Sequence, residues 1–486
     1  MYFKASKQIS FFEFGEAAGI KLNPENRWIK MSQGINWDEI ENKYSKVYCL
    51  NDGAPAKPVR MSIGALLIKH IENLPDEKVA QQIEENPYMQ YFCGNKEFKQ
   101  AQPFEPSLMV AFRKRFPAEV IREINDMLFR KVPSENTATK ESVENKECPE
   151  AVEAPKNEGT LILDTTCTPA NITFPQDLKI LNEAREKTEK MVEAMHAPEK
   201  GKTEKPRLDK KAARKSYLKM VKNRKKSPKK LRKAIKQQLN YLNRNLKHIE
   251  GLDKHKDQLT PKQTTELETI KKVYEQQNEM YTQKKKTVKD RIVSISQPHV
   301  RPIVRGKANA DVEFGAKVSA SVIDGYAFVD KISWDAHNEC KDLIGIINDY
   351  YQKYKRYPAA VMADQIYRTK ENIEYCTTHG IRLSGRRLGK PKEEDAATKE
   401  QAYKDNGIRN AIEGKFGNVK TSYGLDRVMA KLKETSETSI YLAVLAMNIV
   451  KRLRFFCAYL QNHLIFATIY LSSSNKKIFS QKSLTF

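Results

Sequence analysis

Three carboxylates and two cations in this sequence stand where they could act together. Asp164 and Asp364 each end a short apolar run, "TLILD" and "AAVMAD". Such a run bounded by an acid reads as a buried central strand with the acid at its edge. Glu413 lies in "RNAIEGKFGNVK", with Arg409 four residues before it and Lys420 seven after. On a helix turning about 100° per residue, those steps return to nearly one face. Ile408, Ile412, Phe416 and Val419 mark an apolar stripe on the adjacent face. The spacing therefore predicts one helix that buries one side and offers Arg, Glu and Lys on another.

Three carboxylates from two strands and a helix, gathered at a sheet edge, form a hard oxygen-donor site. Such a site holds Mg²⁺ or Mn²⁺ and leaves positions open for water and phosphate. Two ions about 4 Å apart activate an attacking oxygen and stabilise a leaving one in phosphodiester displacement. Arg409 and Lys420 would steady DNA beside them. Plainer readings stand next to this one. An Asp at a strand end is commonly a turn or cap residue, and Arg409–Glu413 is also an ordinary surface pair. Asp311, Asp324, Asp330 and Asp335 are further candidates. Asp324 fits a hairpin turn better, and Asp330 and Asp335 an exposed strand end.

The elements that must position these groups can be read around them. "VEFGAKVSASVIDGYAFVDKISWD" (312–335) alternates apolar residues on both sides of Asp324-Gly325, the mark of a β-hairpin. A helix over 338–354, the strand ending at Asp364, a short strand in "GIRLSG", the loop "RRLGKPKEEDAATKE" and the helix bearing Glu413 follow. This order predicts a mixed α/β sheet over 160–455. Between the first strand and the hairpin, helical segments at 178–196, 228–250 and 263–284 form an insertion, roughly 177–300. The last two are joined around "GLDKHKDQLTP" as an antiparallel hairpin with a basic outer surface. Residues 1–132 carry short helices, including "MSIGALLIKHIENL", one opened by Pro75-Asp76 and closed by Asn86-Pro87, and the basic "SLMVAFRKRF". That pattern suits a helix-turn-helix DNA reader and a plain bundle alike. A polar, acid-rich linker spans 133–159.

A length of 486 residues suggests about three domains, and the net charge is +25. Residues 201–250 hold 19 Lys/Arg against Glu204, Asp209 and Glu250, which accounts for +16 of it. A block this dense faces a polyanion or is a solvated helix surface. Lys225, Lys226, Lys229 and Lys230 there, with Arg113, Lys114 and Arg115 in the N-terminal part, are the expected DNA contacts. Seven scattered cysteines with no CxxC argue against disulfides and structural zinc, and for a reducing cytoplasm. The start lacks a signal-peptide core. The apolar stretch "LRFFCAYLQNHLIFATIYL" is broken by Gln461, Asn462 and His463, so no membrane span is expected. The tail, 456–486, has no clear period and is expected to be poorly ordered.

Over about residues 15–455 the sequence resembles bacterial insertion-sequence transposases with an RNase H-like DDE catalytic domain. It is closest to those with an InsH-type helical N-terminal domain. The carriers are "MSIGALLIKHIENLPDEKVAQQIEENPYMQYFCG", "LILDTTCTPANITFP", "VMADQIYRTKENIEYC" and "RNAIEGKFGNVK". "RIVSISQPHVRPIVRGKANADVEFGAKVSASVIDGYAFVDKISWD" is similar to the stretch between this group's acids. The family signature around the last acid (Tyr, two residues, Arg, three, Glu, six, Lys) fits Arg409, Glu413 and Lys420. Its Tyr position is Asn406 here. The resemblance implies Asp164, Asp364 and Glu413 as catalytic ligands of two Mg²⁺ or Mn²⁺ ions, with Arg409 and Lys420 orienting phosphates. It implies cleavage at terminal inverted repeats and attack of the freed 3′-OH on target DNA, by a cytoplasmic, nucleoid-associated homodimer. No ATP is needed, and no P-loop is present. A related nuclease or resolvase without strand transfer, and a non-catalytic nucleic-acid-binding descendant, are the rival readings.

Overall fold

The computed structural model describes residues 13–14, 19–45, 56–130, 156–225, 227–307, 310–335, 337–389 and 396–455. Lys226, most of the expected linker and the 456–486 tail lie outside them. Among the described residues seven helices precede the first strand: α1 (Arg27–Gln33), α2 (Trp37–Tyr44), α3 (Val59–Ile71), α4 (Asp76–Glu85), α5 (Pro87–Phe92), α6 (Leu108–Arg115) and α7 (Ala118–Phe129). Asn86 ends α4 and starts α5, since its side chain accepts from the Tyr88 and Met89 amides while Pro87 takes the first helical position.

The sheet contains β1 (Thr160–Pro169), β2 (Arg301–Lys307), β3 (Ala310–Ile323), β4 (Tyr326–Ser333), β5 (Ala360–Met362) and β6 (Arg382–Leu383). The order is β2-β3-β1-β5-β6, with β4 also paired to β3. β1 runs antiparallel to β3 and parallel to β5, and β6 is parallel to β5. A strand covered on both faces should read as a continuous apolar run, and Leu161, Ile162 and Leu163 are all buried. The β3–β4 connection has positive φ at both Asp324 (51°) and Gly325 (77°). That is the conformation a two-residue hairpin turn matched to strand twist requires. β2 was not legible as a strand. Its sequence "RPIVRGK" breaks alternation with Pro302 and Gly306, which an edge position tolerates.

Between β1 and β2 run α8 (Asp177–His196), α9 (Lys210–Val221), α10 (Pro228–Gly251) and α11 (Pro261–Gln283). They gather round a core of their own that includes Leu181, Met195, Leu242, Leu246 and Ile270, and none adds a strand to the sheet. Inside this bundle Arg185, 1% exposed, is satisfied by Glu189 (2.5 Å), Asn182 (2.8 Å) and Gln238 (3.2 Å). Its burial would otherwise be costly. The helix α9, which the basic run conceals, buries only Ala213 and Met220.

After β4 come α12 (Leu343–Tyr354), α13 (Lys370–Thr378), α14 (Ala396–Tyr423) and α15 (433–455). The early helices share one core with the sheet. Asn125 of α7 donates to the Ala327 carbonyl (3.3 Å), which also accepts from Asn448 of α15 (2.7 Å). No helix among the described residues is long and apolar enough to cross a membrane.

Candidate active site

The β1–β5 ladder pairs Thr160 with Ala360, Leu161 with Val361 and Ile162 with Met362. Carried two residues further, the same offset sets Asp164 beside Asp364, where the strands part. Each carboxylate is fixed by its following backbone amide. Asp164 Oδ1 accepts from Thr165 N at 2.7 Å, and Asp364 Oδ1 from Gln365 N at 2.7 Å. Asp364 caps a short 3₁₀ turn, Gln365–Tyr367. Tyr367 is fully buried, and its hydroxyl lies 2.9 Å from Thr165 Oγ1, tying the turn after one acid to the strand after the other.

The long helix α14 crosses β1 and β5 and supplies Arg409, Glu413 and Lys420. Ile412 and Val419 are buried beneath it. Burying each contributes about 1.5–3 kcal/mol toward holding the helix there. Ile408, expected in the same stripe, is 41% exposed, because the buried positions of this helix, which starts at 396, recur every seven residues at Asp405, Ile412 and Val419. The last residues of the expected loop, "AATKE", are therefore helical. Arg409 Nη1 lies 2.9 Å from Glu413 Oε1 and 3.8 Å from Asp164 Oδ2, linking two acids. Asn406 is exposed one turn earlier, and Tyr403 is 82% exposed one turn before that. Lys420 is half-buried two turns beyond Glu413.

Burial raises the Asp164 pKa above the usual carboxylate range. The Thr165 amide and Arg409 oppose this, and the like charges of Asp364 and Glu339 add to it. The strand ends bring Asp164 and Asp364 together, and Glu413 joins them through Arg409 rather than directly. Among the described residues no three His, Cys, Asp or Glu side chains form a group that could hold an ion. The physical reason is Arg409, whose guanidinium sits between Asp164 and a Glu413 side chain that is 53% exposed.

Several participants had no clear signal in the sequence. Glu339, paired with Lys317 at 3.1 Å, is a fourth acid whose charge reaches Asp164. Gln365 receives the Arg386 amide (3.0 Å) and donates to the Arg386 carbonyl (3.1 Å), anchoring a basic loop beside Asp364. Adjacency to Asp364 was the available hint for Gln365; Glu339 offered none.

The other expected positions divide. Lys114, Lys225, Lys229 and Lys230 are exposed, and Arg115 is half-buried. Arg113 is not a surface cation. It is buried and forks onto Asp76 (3.1 and 2.5 Å) at the start of α4, because Met109, Phe112 and Arg113 form the inward face of α6. Asp330 is not at an exposed strand end either. It is the extra residue of a β-bulge, since Ser319 pairs with Lys331 and Ala320 with Val329. Ser321 Oγ donates to Asp330 Oδ1 at 2.9 Å, while Oδ2 is buried without a partner among the described residues. Burial pushes its pKa up to about 7 against the pull of Arg130, Ser321, Arg122 and Lys353. Asp335 is exposed, and the Asp311 side chain lies outside the described residues.

Residues 361–450 match the family model described as "Transposase DDE domain", and residues 17–115 match one described as "Transposase domain (DUF772)". A curated relative, the "Uncharacterized protein ORF8 in nfe locus" of Rhizobium meliloti, is 28% identical over 159 residues. That alignment covers 33% of this chain and 69% of that protein. No solved structure matches. With one transposase model on the helices before the sheet and the other on the segment bearing Asp364 and Glu413, the matches support an insertion-sequence transposase of the DDE type.

Proposed function

We propose that this transposase binds the terminal inverted repeats of its element, cuts at the ends and joins the freed 3′-OH to target DNA. The catalytic region would be an RNase H-like domain using Asp164, Asp364 and Glu413. The observation that carries this reading is the shared offset of 200 residues between β1 and β5. It makes Asp164 and Asp364 neighbours at the end of a parallel strand pair.

The donor set suits Mg²⁺ or Mn²⁺ in type, being carboxylate oxygens that remain partly exposed. Bound divalent ions supply activation of the attacking oxygen and neutralisation of the leaving one. The chain's own residues do the rest. Thr165 and Tyr367 hold the two strand ends together, and the Thr165 and Gln365 amides orient the acids. Arg409 keeps Glu413 near Asp164 and would give up the Asp164 contact when the acids close around cations. Lys420, the anchored Arg386 loop and the exposed lysines of the insertion would hold phosphates, with a homodimer as the active assembly.

Glu413→Gln tests the reading, since it removes charge while keeping size. Cleavage of end-bearing duplexes and strand transfer from pre-cut ends should both fall by several powers of ten, at about 1.4 kcal/mol per tenfold. Binding to the ends should persist. Normal cutting and joining by this variant in Mg²⁺ would refute the assignment.

A further inference from the structure

Where the chain leaves the sheet for the helical insertion (171–176) and returns from it (293–297), a cavity of about 630 Å³ opens. This lies inside the size range of small-ligand sites, roughly 300–1,000 Å³. Lys179 from α8 reaches its wall, as do Arg427 and Lys431 from the segment between α14 and α15. All three are exposed, and none has an ion-pair partner among the described residues. Among the described residues Glu183 is the one acid lining it, and burial raises the pKa of its carboxyl group. The cavity thus favours an anion.

Its other features specify the anion's body. Phe174 stands at the rim, 71% exposed, and meets Phe314 edge-on at 5.6 Å and 90°. That contact fixes the Phe174 ring while leaving it open to solvent, as a stacking platform needs. Gln297 also lines the cavity and is 1% exposed. Its Nε2 donates to the Asn171 carbonyl at 3.0 Å, so the opposite atom, Oε1, is the acceptor, and it is buried with no donor among the described residues. A stacking ring, three free cations and an unfilled acceptor match a nucleotide. They match an unpaired one, because a base inside a duplex has both faces covered.

We propose that this cavity binds a single unpaired nucleotide of the DNA substrate. Its base would lie on Phe174 and offer an N–H to Gln297, and its phosphates would face Lys179, Arg427 and Lys431. Asn171 is seven residues past Asp164, so at about 3.3 Å per residue the cavity is within ~20–25 Å of the acids. One bound strand spans that distance. The proposal rests on the reading that the chain acts on DNA, yet it does not depend on catalysis.

The test uses the full chain, without divalent metal, and fluorescence anisotropy on two duplexes of one sequence. One is blunt and the other carries a three-nucleotide single-stranded dT extension. The extended duplex should bind more tightly, and Phe174→Ala should remove most of that advantage while blunt-duplex affinity holds. The loss expected for one stacked base is roughly five- to 150-fold. Phe174→Trp should keep the advantage and show quenched fluorescence on the extended duplex alone. Equal binding of both duplexes by the wild type, or an advantage untouched by Phe174→Ala, overturns the proposal. Glu413→Gln should retain the preference for the extension. If the wild type neither cuts nor joins DNA but shows the Phe174-dependent preference, the catalytic reading fails and the nucleotide site stands. Normal catalysis with no such preference removes the site alone.

Discussion

Replacing Asp330 with asparagine should stabilise the protein, and by more at pH 8 than at pH 5. In the folded chain burial holds this carboxyl at a pKa of about 7, against an ordinary value of 3.8. Between those values the folded protein keeps a proton that the unfolded chain has released. Wild-type stability therefore falls as pH rises from about 4 to about 7, and levels off above. At about 1.36 kcal/mol per pH unit, the cost approaches ~4 kcal/mol at pH 8 and is near 1.6 kcal/mol at pH 5. Asparagine cannot ionise, and it retains an acceptor for Ser321 Oγ. The gap between variant and wild type should accordingly widen by ~2–3 kcal/mol from pH 5 to pH 8. Urea denaturation followed by tryptophan fluorescence at the two pH values measures it. Parallel pH profiles for the two proteins would refute the buried-acid argument.

The remaining predictions concern the site and its surroundings. Tyr367→Phe removes the hydroxyl at Thr165 and should cost about 0.5–1.5 kcal/mol of stability. It should also slow cleavage while leaving DNA affinity intact, which parallel melting, kinetic and binding measurements would show. Reversing charge at Lys225, Lys226, Lys229 and Lys230 should weaken DNA binding for all sequences. The log–log salt slope should flatten by up to about 0.9 per lost phosphate contact, and an unchanged slope would make the insertion a spacer or a dimerisation arm. Asp324→Ala places alanine at a φ of 51° and should cost about 1–2 kcal/mol in thermal unfolding. Its rates of cutting and joining should match the wild type.

The strands flanking the acids were legible because their causes are local. Continuous apolar runs marked β1 and β5, and alternation around Asp324-Gly325 marked the hairpin. The insertion helices declared themselves through Leu239, Leu242 and Leu246, whose spacing matches a buried face. What stayed hidden depends on tertiary partners. Arg113 looks like any other cation in "RKR" until Asp76 is placed beside it. Asp330 looks exposed until the bulge turns it inward, and the Glu339 approach to Asp164 follows from how the chain turns after β4. Arg409 and Glu413 could be placed on one helical face, but nothing in their spacing said that the guanidinium would stand between Glu413 and Asp164.

The pairing of Thr160 with Ala360 also fixes a timetable. At roughly 5–20 residues per second, β1 leaves the ribosome about 10–40 s before its parallel neighbour exists. Asp164 has no Asp364 beside it during that interval. Helices α8–α11, complete by Gln283, carry their own core and much of the positive charge, so they can fold first. A nascent or prematurely ended chain would thus hold the surface proposed to grip DNA while lacking the paired acids. The proposed capacity to cut arrives last in synthesis.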